Sequence, residues 1–150
     1  MAVVLSSWDP STGARDVEVV RRVEDVTAAA ERLLGRYRTA GAALPGMELQ
    51  PDDEDYGRLE DSGRLEDYGR LAVAVAPWGW ALVHTDENFD QHCTQAEAPV
   101  PGESVEVMWE QLTPIPQRWF VPRELAVGGV RQWLEDGTLS PGLRWSDHCY

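Results

Sequence analysis

Residues 71–85, LAVAVAPWGWALVHT, are the segment of the sequence that most clearly indicates the fold. Two runs of apolar residues enclose Ala76, Pro77, Trp78 and Gly79. This composition suits a type I turn with proline in its second position, followed by Gly79 in the left-handed conformation of a bulge. We therefore expect a β-hairpin with strands at 71–76 and 80–85, and with it an antiparallel sheet.

Two helices are predicted, one on each side of this hairpin. Upstream, DVTAAAERLLGRYR (25–38) has apolar residues at helical spacing, with Asp25 as the N-cap and Gly41 as the stop. Downstream, VPRELAVGGVRQWLEDG (121–137) has Pro122 at its first turn, one apolar stripe, and Gly137 at its end. Both helices are amphipathic, so each is expected to bury one face.

Further strands are predicted from short apolar or alternating segments at residues 1–8, 16–20, 46–50, 104–109 and 143–145. With the hairpin, these segments make six or seven strands. Together with two amphipathic helices, they predict a single α+β domain over residues 1–150, built on a mainly antiparallel sheet.

The charge of the chain is concentrated in its middle. The sequence has 26 acidic residues and 13 basic ones, all of them arginine. Residues 48–110 contain sixteen of the acids and only three of the arginines. That segment accounts for the whole formal net charge of −13, because acids and arginines balance elsewhere. A field of this sign repels nucleic acid and anionic membranes and attracts basic proteins. We therefore expect neither nucleic acid nor membrane as a partner.

An acidic hexapeptide occurs three times at residues 55–72, as DYGRLE, DSGRLE and DYGRLA. Three copies with one leucine each are too few to bury the core of a solenoid. Without residues 55–66, the chain still reads from an acidic segment directly into the first strand of the hairpin. The sequence therefore predicts a tandem duplication inside a loop at about 51–70, because closing a loop becomes only slowly more costly with length.

The residues that could bind a metal or act as a nucleophile are poorly spaced. His84, His92 and Cys93 form neither a CxxC nor an HxxxH motif, and in a strand His92 and Cys93 point to opposite faces. An acidic setting also opposes formation of the thiolate that cysteine catalysis requires. We expect neither an enzyme nor a cofactor. The alternative is a small metal-dependent or cysteine-based enzyme that uses these three residues.

The sequence predicts a cytoplasmic protein. The N-terminal MAVVLSSWDP lacks the basic region and the long apolar run of a signal peptide. The longest weakly polar run covers 13 residues at 71–83, which is too short to span a bilayer. Two cysteines, Cys93 and Cys149, do not make a disulfide framework.

Seven tryptophans are many for a chain of 150 residues. Trp109, Trp133 and Trp145 lie on the apolar faces of their predicted elements, so we assign them to the core. Trp78 and Trp80 flank the tip of the predicted hairpin. There they either complete the edge of the core or stand exposed as anchors for a partner.

Two segments resemble a known family. LAVAVAPWGWALVHTD (71–86) leads into a β-rich middle, and WFVPRELAVGGVRQWLEDGTLSPGLRW (119–145) combines a Val-Pro entry, a helix ending in an acid and glycine, and a closing Leu-x-Trp. From residue 25 to 145 the chain resembles the first-numbered Imm family of immunity proteins, found in bacterial polymorphic toxin systems and common in actinobacteria. The resemblance implies a cytosolic protein that neutralises a cognate toxin, often a nucleic-acid deaminase or nuclease. It implies no catalytic residues.

Charge and resemblance lead to one hypothesis, a 1:1 complex in which the acidic segment covers the active site or the substrate groove of a basic toxin domain. The residues expected to contact the toxin are Asp52, Asp53, Glu54, Asp55, Asp86, Glu87, Asp90, Trp78 and Trp80. Tyr56, Tyr68 and Phe89 are further candidate anchors. A regulatory module that binds a basic, non-toxic partner is a second alternative.

Overall fold

The computed structural model describes residues 2–40, 43–52, 68–97 and 103–149, so most of the acidic repeat, at 53–67, lies outside the described residues. The described strands are β1 (Val3–Trp8), β2 (Arg15–Val20), β3 (Leu44–Pro51), β4 (Arg70–Ala76), β5 (Gly79–Thr85), β6 (Gln91–Gln95), β7 (Ser104–Trp109), β8 (Gln111–Pro116) and β9 (Arg144–Ser146). The helices are α1 (Val23–Ala40) and α2 (Arg123–Asp136), with a short 3-10 helix at Gln117–Trp119.

Seven of these strands form a continuous antiparallel path in the order β2-β1-β3-β4-β5-β6-β9. The hairpin of β7 and β8 joins the path through a short parallel pairing, in which Leu44 faces Val107 and Pro45 faces Met108. The predicted α+β class with a mainly antiparallel sheet is therefore confirmed. The predicted count of six or seven strands is too low, because the described residues form nine.

β6 and β8 are the two strands that the sequence pattern does not indicate. β6 reads QHCTQ, with Cys93 as its one apolar side chain, and it depends on pairing with β5 and β9 on either side. β8 reads QLTPIP, and its two prolines argue against a strand inside a sheet. Among the described strands β8 pairs with β7 alone, so it lies at an edge, where proline is tolerated.

α1 and α2 pack on the same face of the sheet and bury the apolar stripes that the sequence predicts. Arg123 at the start of α2 lies 3.6 Å from Glu31 of α1, across the line where the helices meet. The helical side chains in this core are Val23, Val26, Ala29, Ala30, Leu33 and Leu34 of α1, and Ala126, Val130, Trp133 and Leu134 of α2. The two amphipathic helices thus bury the apolar side chains of β1, β3, β4 and β5 on one face of the sheet.

The ends of α2 follow the predictions, whereas the start of α1 does not. α2 begins after Pro122 and ends at Gly137, which is left-handed with φ of 76°. α1 begins at Val23, so Asp25 is not its N-cap. From the third helical position the Asp25 carboxylate instead accepts the N–H groups of Arg21 (3.2 Å) and Arg22 (3.3 Å). This backward bond is one half of a capping box. The predicted stop, Gly41, lies outside the described residues.

The β7–β8 hairpin covers part of the opposite face of the sheet. Its buried side chains Val107 and Ile115 share a second apolar cluster with Trp119, Ala74 and Ala81. At the tip of the hairpin, Trp109 Nε1 donates to the carbonyl oxygens of Met47 (3.2 Å) and Val73 (3.1 Å). Beyond Trp109 the face is partly exposed, because no described element lies over Arg70 and Gln91.

The hairpin of β4 and β5 forms as predicted, but its turn is tighter. Ala76 pairs directly with Gly79, which leaves Pro77 and Trp78 as a two-residue turn. Gly79 has a φ of 156°, which is far from the left-handed conformation of a bulge but is still a positive value that other residues rarely adopt. Glycine is required there for this reason and because the Val121 carbonyl occupies the place of a Cβ. The predicted bulge at Gly79 is therefore wrong.

Tyr68, in the third copy of the hexapeptide, ties the repeat to the core. Its side chain is buried and meets the Trp133 ring edge-on, with the ring centres 6.0 Å apart. Its carbonyl oxygen accepts hydrogen bonds from Trp133 Nε1 (2.6 Å) and from His84 Nε2 (2.7 Å). Tyr68 is thus a core residue and not an exposed anchor for a partner.

The next three residues of the third copy are also fixed by the fold. Gly69 has φ of 55°, and the Thr85 carbonyl oxygen occupies the place of a Cβ at this position. Arg70 lies 3.6 Å from the Glu48 carboxylate on the neighbouring strand. Leu71 is buried in the core beneath the helices. Every residue from Tyr68 to Leu71 therefore has a structural role.

The residues after each copy explain why the third copy, and not an earlier one, enters the sheet. The third copy continues into Ala72 and the fully buried Val73. The first copy continues into Glu60 and Asp61. If that copy entered the sheet, it would place a carboxylate at the buried position of Val73, which is strongly unfavourable without a partner. The apolar residues downstream of the repeat therefore set the register of β4.

Candidate functional site

One end of the sheet collects the predicted contact acids, and we call it the acidic end. β3 ends there at Pro51 and β5 at Thr85, while β4 and β6 begin there. Asp52 follows β3, and Asp86, Glu87 and Asp90 lie in the turn between β5 and β6, with Glu87 and Asp90 exposed. Residues 53–67 join Asp52 to Tyr68, so this segment leaves the described structure and re-enters it at the acidic end. The predicted contacts Asp53, Glu54 and Asp55 are outside the described residues.

Asp86 organises the turn between β5 and β6. One oxygen of its carboxylate accepts the backbone N–H groups of Asn88 (2.9 Å) and Asp90 (3.0 Å). The turn closes with a backbone bond from Asp86 N–H to the Asp90 carbonyl (3.0 Å). Asp86 therefore positions the turn, which the Asp-x-Asn-x-Asp pattern could have indicated, since aspartate commonly accepts from backbone groups in such turns. The side chains of Glu87 and Asp90 are exposed.

Phe89 is the exposed aromatic side chain of the acidic end. It is 76 % exposed and lies at the tip of the turn between two of the predicted contact acids. Its backbone is left-handed, with φ of 64°, a conformation that non-glycine residues seldom adopt. The bonds to Asp86 hold it there. An exposed ring on an ordered turn, flanked by carboxylates, can anchor a protein partner.

Asp52 lies at the opposite side of the same end. Its N–H donates to the Ala2 carbonyl (3.2 Å), so the last described residue before the repeat is tied to the strand beside it. Its side chain is half-buried. Asp52 and Tyr68, the described residues on either side of 53–67, are therefore both fixed by hydrogen bonds at the acidic end.

An open cleft of about 230 Å³ lies on the uncovered half of the sheet, next to the acidic end. Sequence patterns do not indicate this feature, because its walls come from distant segments. Ala72 and Val83 line the cleft together with Trp109 of the β7–β8 hairpin. The ion pair of Glu48 and Arg70 lies at its rim. The cleft suits an extended polar chain better than a small apolar ligand, since charged and half-exposed residues line it.

Trp80, a predicted contact, is a core residue. Its side chain is 1 % exposed, within the core beneath the helices, and the Arg123 guanidinium lies 5.7 Å from its ring centre. The backbone of Trp80 also pairs with that of Val121 in both directions. Trp80 cannot present its ring to a partner, so that prediction is wrong.

Trp78 is exposed, but it lies far from the acidic end. It is 51 % exposed in the turn between β4 and β5, beside Phe120 at 5.8 Å between ring centres. β4 and β5 are seven residues long, so the two ends of the sheet lie about 20 Å apart at about 3.3 Å per residue. Trp78 therefore belongs to a different surface from the predicted contact acids.

The residues proposed for a metal-dependent or cysteine-based enzyme do not converge. His84 and His92 are cross-strand neighbours with ring centres 6.5 Å apart, whereas Cys93 points into the cluster beneath the hairpin. Among the described residues, no three histidine, cysteine, aspartate or glutamate side chains are grouped to hold a metal ion. Burial lowers the pKa of His84, so its imidazole is neutral inside the fold.

Cys93 is unsuited to act as a nucleophile. Burial and a hydrogen bond with the neighbouring Cys149 thiol raise the pKa of Cys93 to about 12. Its Sγ lies 3.6 Å from the Ser146 carbonyl oxygen, to which Cys149 Sγ is also bonded at 3.5 Å. A buried thiol that stays protonated packs as a small apolar side chain.

No family model and no curated protein matches the sequence. The resemblance to immunity proteins therefore stays a prediction. In the part of the chain that the structure describes, no helix is long and apolar enough to cross a membrane.

Proposed function

We propose that this chain is an immunity protein, a stoichiometric inhibitor that binds and neutralises a basic toxin domain in a 1:1 complex in the cytoplasm. The observation that supports this most is the acidic end, where Glu87 and Asp90 are exposed beside Phe89. Seven more acids and two arginines lie in residues 53–67, whose two attachment points are at the same end. The inhibitor thus offers a concentrated negative surface with an apolar anchor.

The proposed target is a toxin that acts on nucleic acid, such as a deaminase or a nuclease. A protein that binds nucleic acid needs a basic groove to hold the phosphates. The acidic end has the opposite charge and competes for that groove. Charge complementarity of this kind mainly raises the association rate and the specificity, while a desolvated anchor such as Phe89 slows dissociation.

The two alternatives, a small enzyme and a regulatory module, differ in how well the structure supports them. The enzyme alternative has little support from His84, His92 and Cys93, because the thiol is buried and protonated and lies on the other face from the histidines. A regulatory module with a basic, non-toxic partner would use the same acidic end, and the identity of the partner separates it from an immunity protein.

Co-purification tests the proposal directly. The tagged chain is expressed in its own host, captured at low and at high salt, and the bound proteins are identified by mass spectrometry. We expect one basic domain at a 1:1 ratio, released as salt screens the acidic end. The isolated partner should be toxic when expressed alone and harmless together with this chain. A harmless partner would support the regulatory module, and the absence of any partner would contradict both.

A further inference from the structure

The outer edge of β2 differs from the other edges of the sheet. β2 pairs with β1 over six consecutive residues without a bulge, and no other described strand pairs with it. β8, another edge, carries Pro114 and Pro116, and β9 is three residues long. Proline and short length are common protections against unwanted strand pairing. β2 has neither protection, so its edge is available to an added strand.

The two faces of β2 have different chemistry. Val17 and Val19 are 52 % and 57 % exposed on the face away from the helices. Asp16 and Glu18 lie on the other face, where Glu18 pairs with Arg32 of α1 at 3.0 Å. The Val17 N–H donates to the Asp16 carboxylate at 3.0 Å. This backbone N–H could instead donate to the carbonyl of a strand added at the edge.

We propose that β2 is a docking strand that pairs with an extended segment of the partner in which apolar and basic side chains alternate. The apolar residues would cover Val17 and Val19, and the basic ones would face Asp16 and Glu18. The inference rests on the proposed function, because the segment belongs to the same basic partner. It adds a second contact surface, formed by backbone hydrogen bonds as well as by charge.

A second copy of this chain is a poor occupant for the same edge. In a two-fold antiparallel pairing of β2 with itself, residues on one face meet residues on the same face. Asp16 then faces Glu18, or one of these acids faces its own copy, and like charges directly opposite each other are destabilising. The net charge of −13 adds further repulsion between copies. Charge therefore favours a basic strand over a second acidic one.

Amide exchange with synthetic probes tests the edge without the partner. The probe is a blocked hexapeptide of alternating lysine and valine. The controls are an alternating glutamate and valine hexapeptide, and a block peptide with three lysines followed by three valines. We expect the lysine and valine probe to slow exchange of the Val17 and Val19 amides by about tenfold, and neither control to do so. Equal protection by all three peptides, or none by the probe, would overturn the proposal. So would self-association of the free chain through β2.

Two variants sharpen the test. Val17→Pro removes the N–H that Asp16 holds and should abolish protection of the Val19 amide, whereas Val17→Thr keeps the N–H and the branched shape and should retain protection of that amide. Asp16→Lys/Glu18→Lys leaves the backbone unchanged and should transfer the preference to the glutamate and valine peptide. If the double variant still prefers the lysine and valine probe, the charge rule is wrong.

The tests of the docking strand and of the proposed immunity role can fail independently of each other. Probe binding to β2 without a co-purifying toxin would support the docking strand and contradict the immunity role. A co-purifying toxin that Val17→Pro retains as well as Val17→Thr does would support the immunity role and overturn the docking strand.

Discussion

Gly69 lies where the acidic repeat meets the sheet, and its surroundings leave no room for a side chain. Its φ of 55° is left-handed, and the Thr85 carbonyl oxygen occupies the Cβ position. The same residue orients Tyr68, whose carbonyl holds Trp133 and His84. A single glycine thus couples the start of β4, the end of β5 and the face of α2.

Gly69→Ala should destabilise the fold by about 1–3 kcal/mol, the usual cost of a left-handed non-glycine residue, with the clash against the Thr85 carbonyl added. The matched control is Gly128→Ala in α2, where no atom lies within 4 Å of the new Cβ. Alanine is the better helix former, so the control should gain about 0.5–1 kcal/mol. Urea unfolding measures both, and equal stability of the two variants would contradict the assignment.

His84 makes the stability of the fold depend on pH. Burial lowers its pKa below the usual 6.5, while the Nε2–H group donates to the Tyr68 carbonyl. As the pH falls, the His84 imidazole therefore becomes positively charged at a higher pH in the unfolded chain than in the folded one. The stabilisation by neutral His84 is fully present above about pH 6.5 and decreases as the pH falls from there toward the folded pKa.

His84→Gln should weaken this dependence, because the glutamine amide can donate to Tyr68 but does not titrate. The measurement is the urea midpoint at about pH 7.5 and about pH 5.5. We expect a smaller decrease between the two values for His84→Gln than for the natural sequence. His148→Gln, an exposed histidine distant from His84, serves as the control and should retain the decrease. An unchanged pH dependence in His84→Gln would remove His84 as its source.

At the scale of elements, the third copy of the hexapeptide belongs to the fold. Tyr68, Gly69, Arg70 and Leu71 each have a defined contact. Without residues 55–66 the sequence still passes from Glu54 directly into this copy, so the residues that make these contacts are kept. We therefore expect the earlier copies to be dispensable for folding.

Deletion of residues 55–66 should leave a folded protein in which Glu54 is followed by the third copy. Its free energy of unfolding should change by less than about 1 kcal/mol, because loop closure depends weakly on length. Circular dichroism and urea unfolding measure the result. A control deletion of residues 65–76, which removes twelve residues that include Tyr68, Gly69 and the whole of β4, should abolish folding. Loss of folding in the first variant would show that the early copies are structural.

Local patterns predict the hairpin and both helices because their turns, caps and apolar spacing lie within short segments. Pro122 and Gly137 frame α2 in the sequence as they do in the structure. β6 and β8 escape prediction because their own residues lack the apolar alternation of a strand: β6 has one apolar side chain and β8 carries two prolines. Pairing with β5 and β9 in one case, and with β7 in the other, makes them strands. The need for glycine at Gly79 is predicted correctly, but part of its cause, besides the positive φ, is the Val121 carbonyl more than forty residues away. Contacts of that kind leave no local signal.

At the scale of the whole molecule, the acidic segment of the sequence is not one surface. Asp86, Glu87 and Asp90 lie at the acidic end, whereas Glu97 follows β6 at the far end of that strand. The tryptophans of the hairpin also separate from the acids. The sequence shows which residues are charged, but the order of the strands determines which charged residues lie close together in the fold. This is why the candidate acids could be predicted and their grouping with Trp78 and Trp80 could not.

Charge reversal at the acidic end tests the grouping. Glu87→Arg/Asp90→Arg should slow association with the partner by about tenfold or more at low salt and flatten its salt dependence. Reversal of Asp52, Asp53, Glu54 and Asp55 should act in the same direction. Stopped-flow or surface plasmon resonance at several salt concentrations gives the rates.

The controls lie at the other end of the sheet. Glu97→Arg/Glu124→Arg makes the same change in net charge there, and Trp78→Ala removes the exposed ring. Both should leave the association rate close to that of the natural chain. An equal slowing by the Glu97→Arg/Glu124→Arg control would mean that only net charge matters, and a large effect of Trp78→Ala would move the contact surface to the turn between β4 and β5.

The two attachment points of the repeat have a consequence for how such a protein can evolve. Each early copy contains two acids and one arginine, so one copy changes the net charge by one unit. Asp52 and Tyr68 are held by Ala2, Trp133 and His84, none of which lies in the early copies. A lineage that gains or loses a copy would therefore adjust its long-range attraction for a basic partner in unit steps. The inherited change would be one of copy number, made without a substitution in the core.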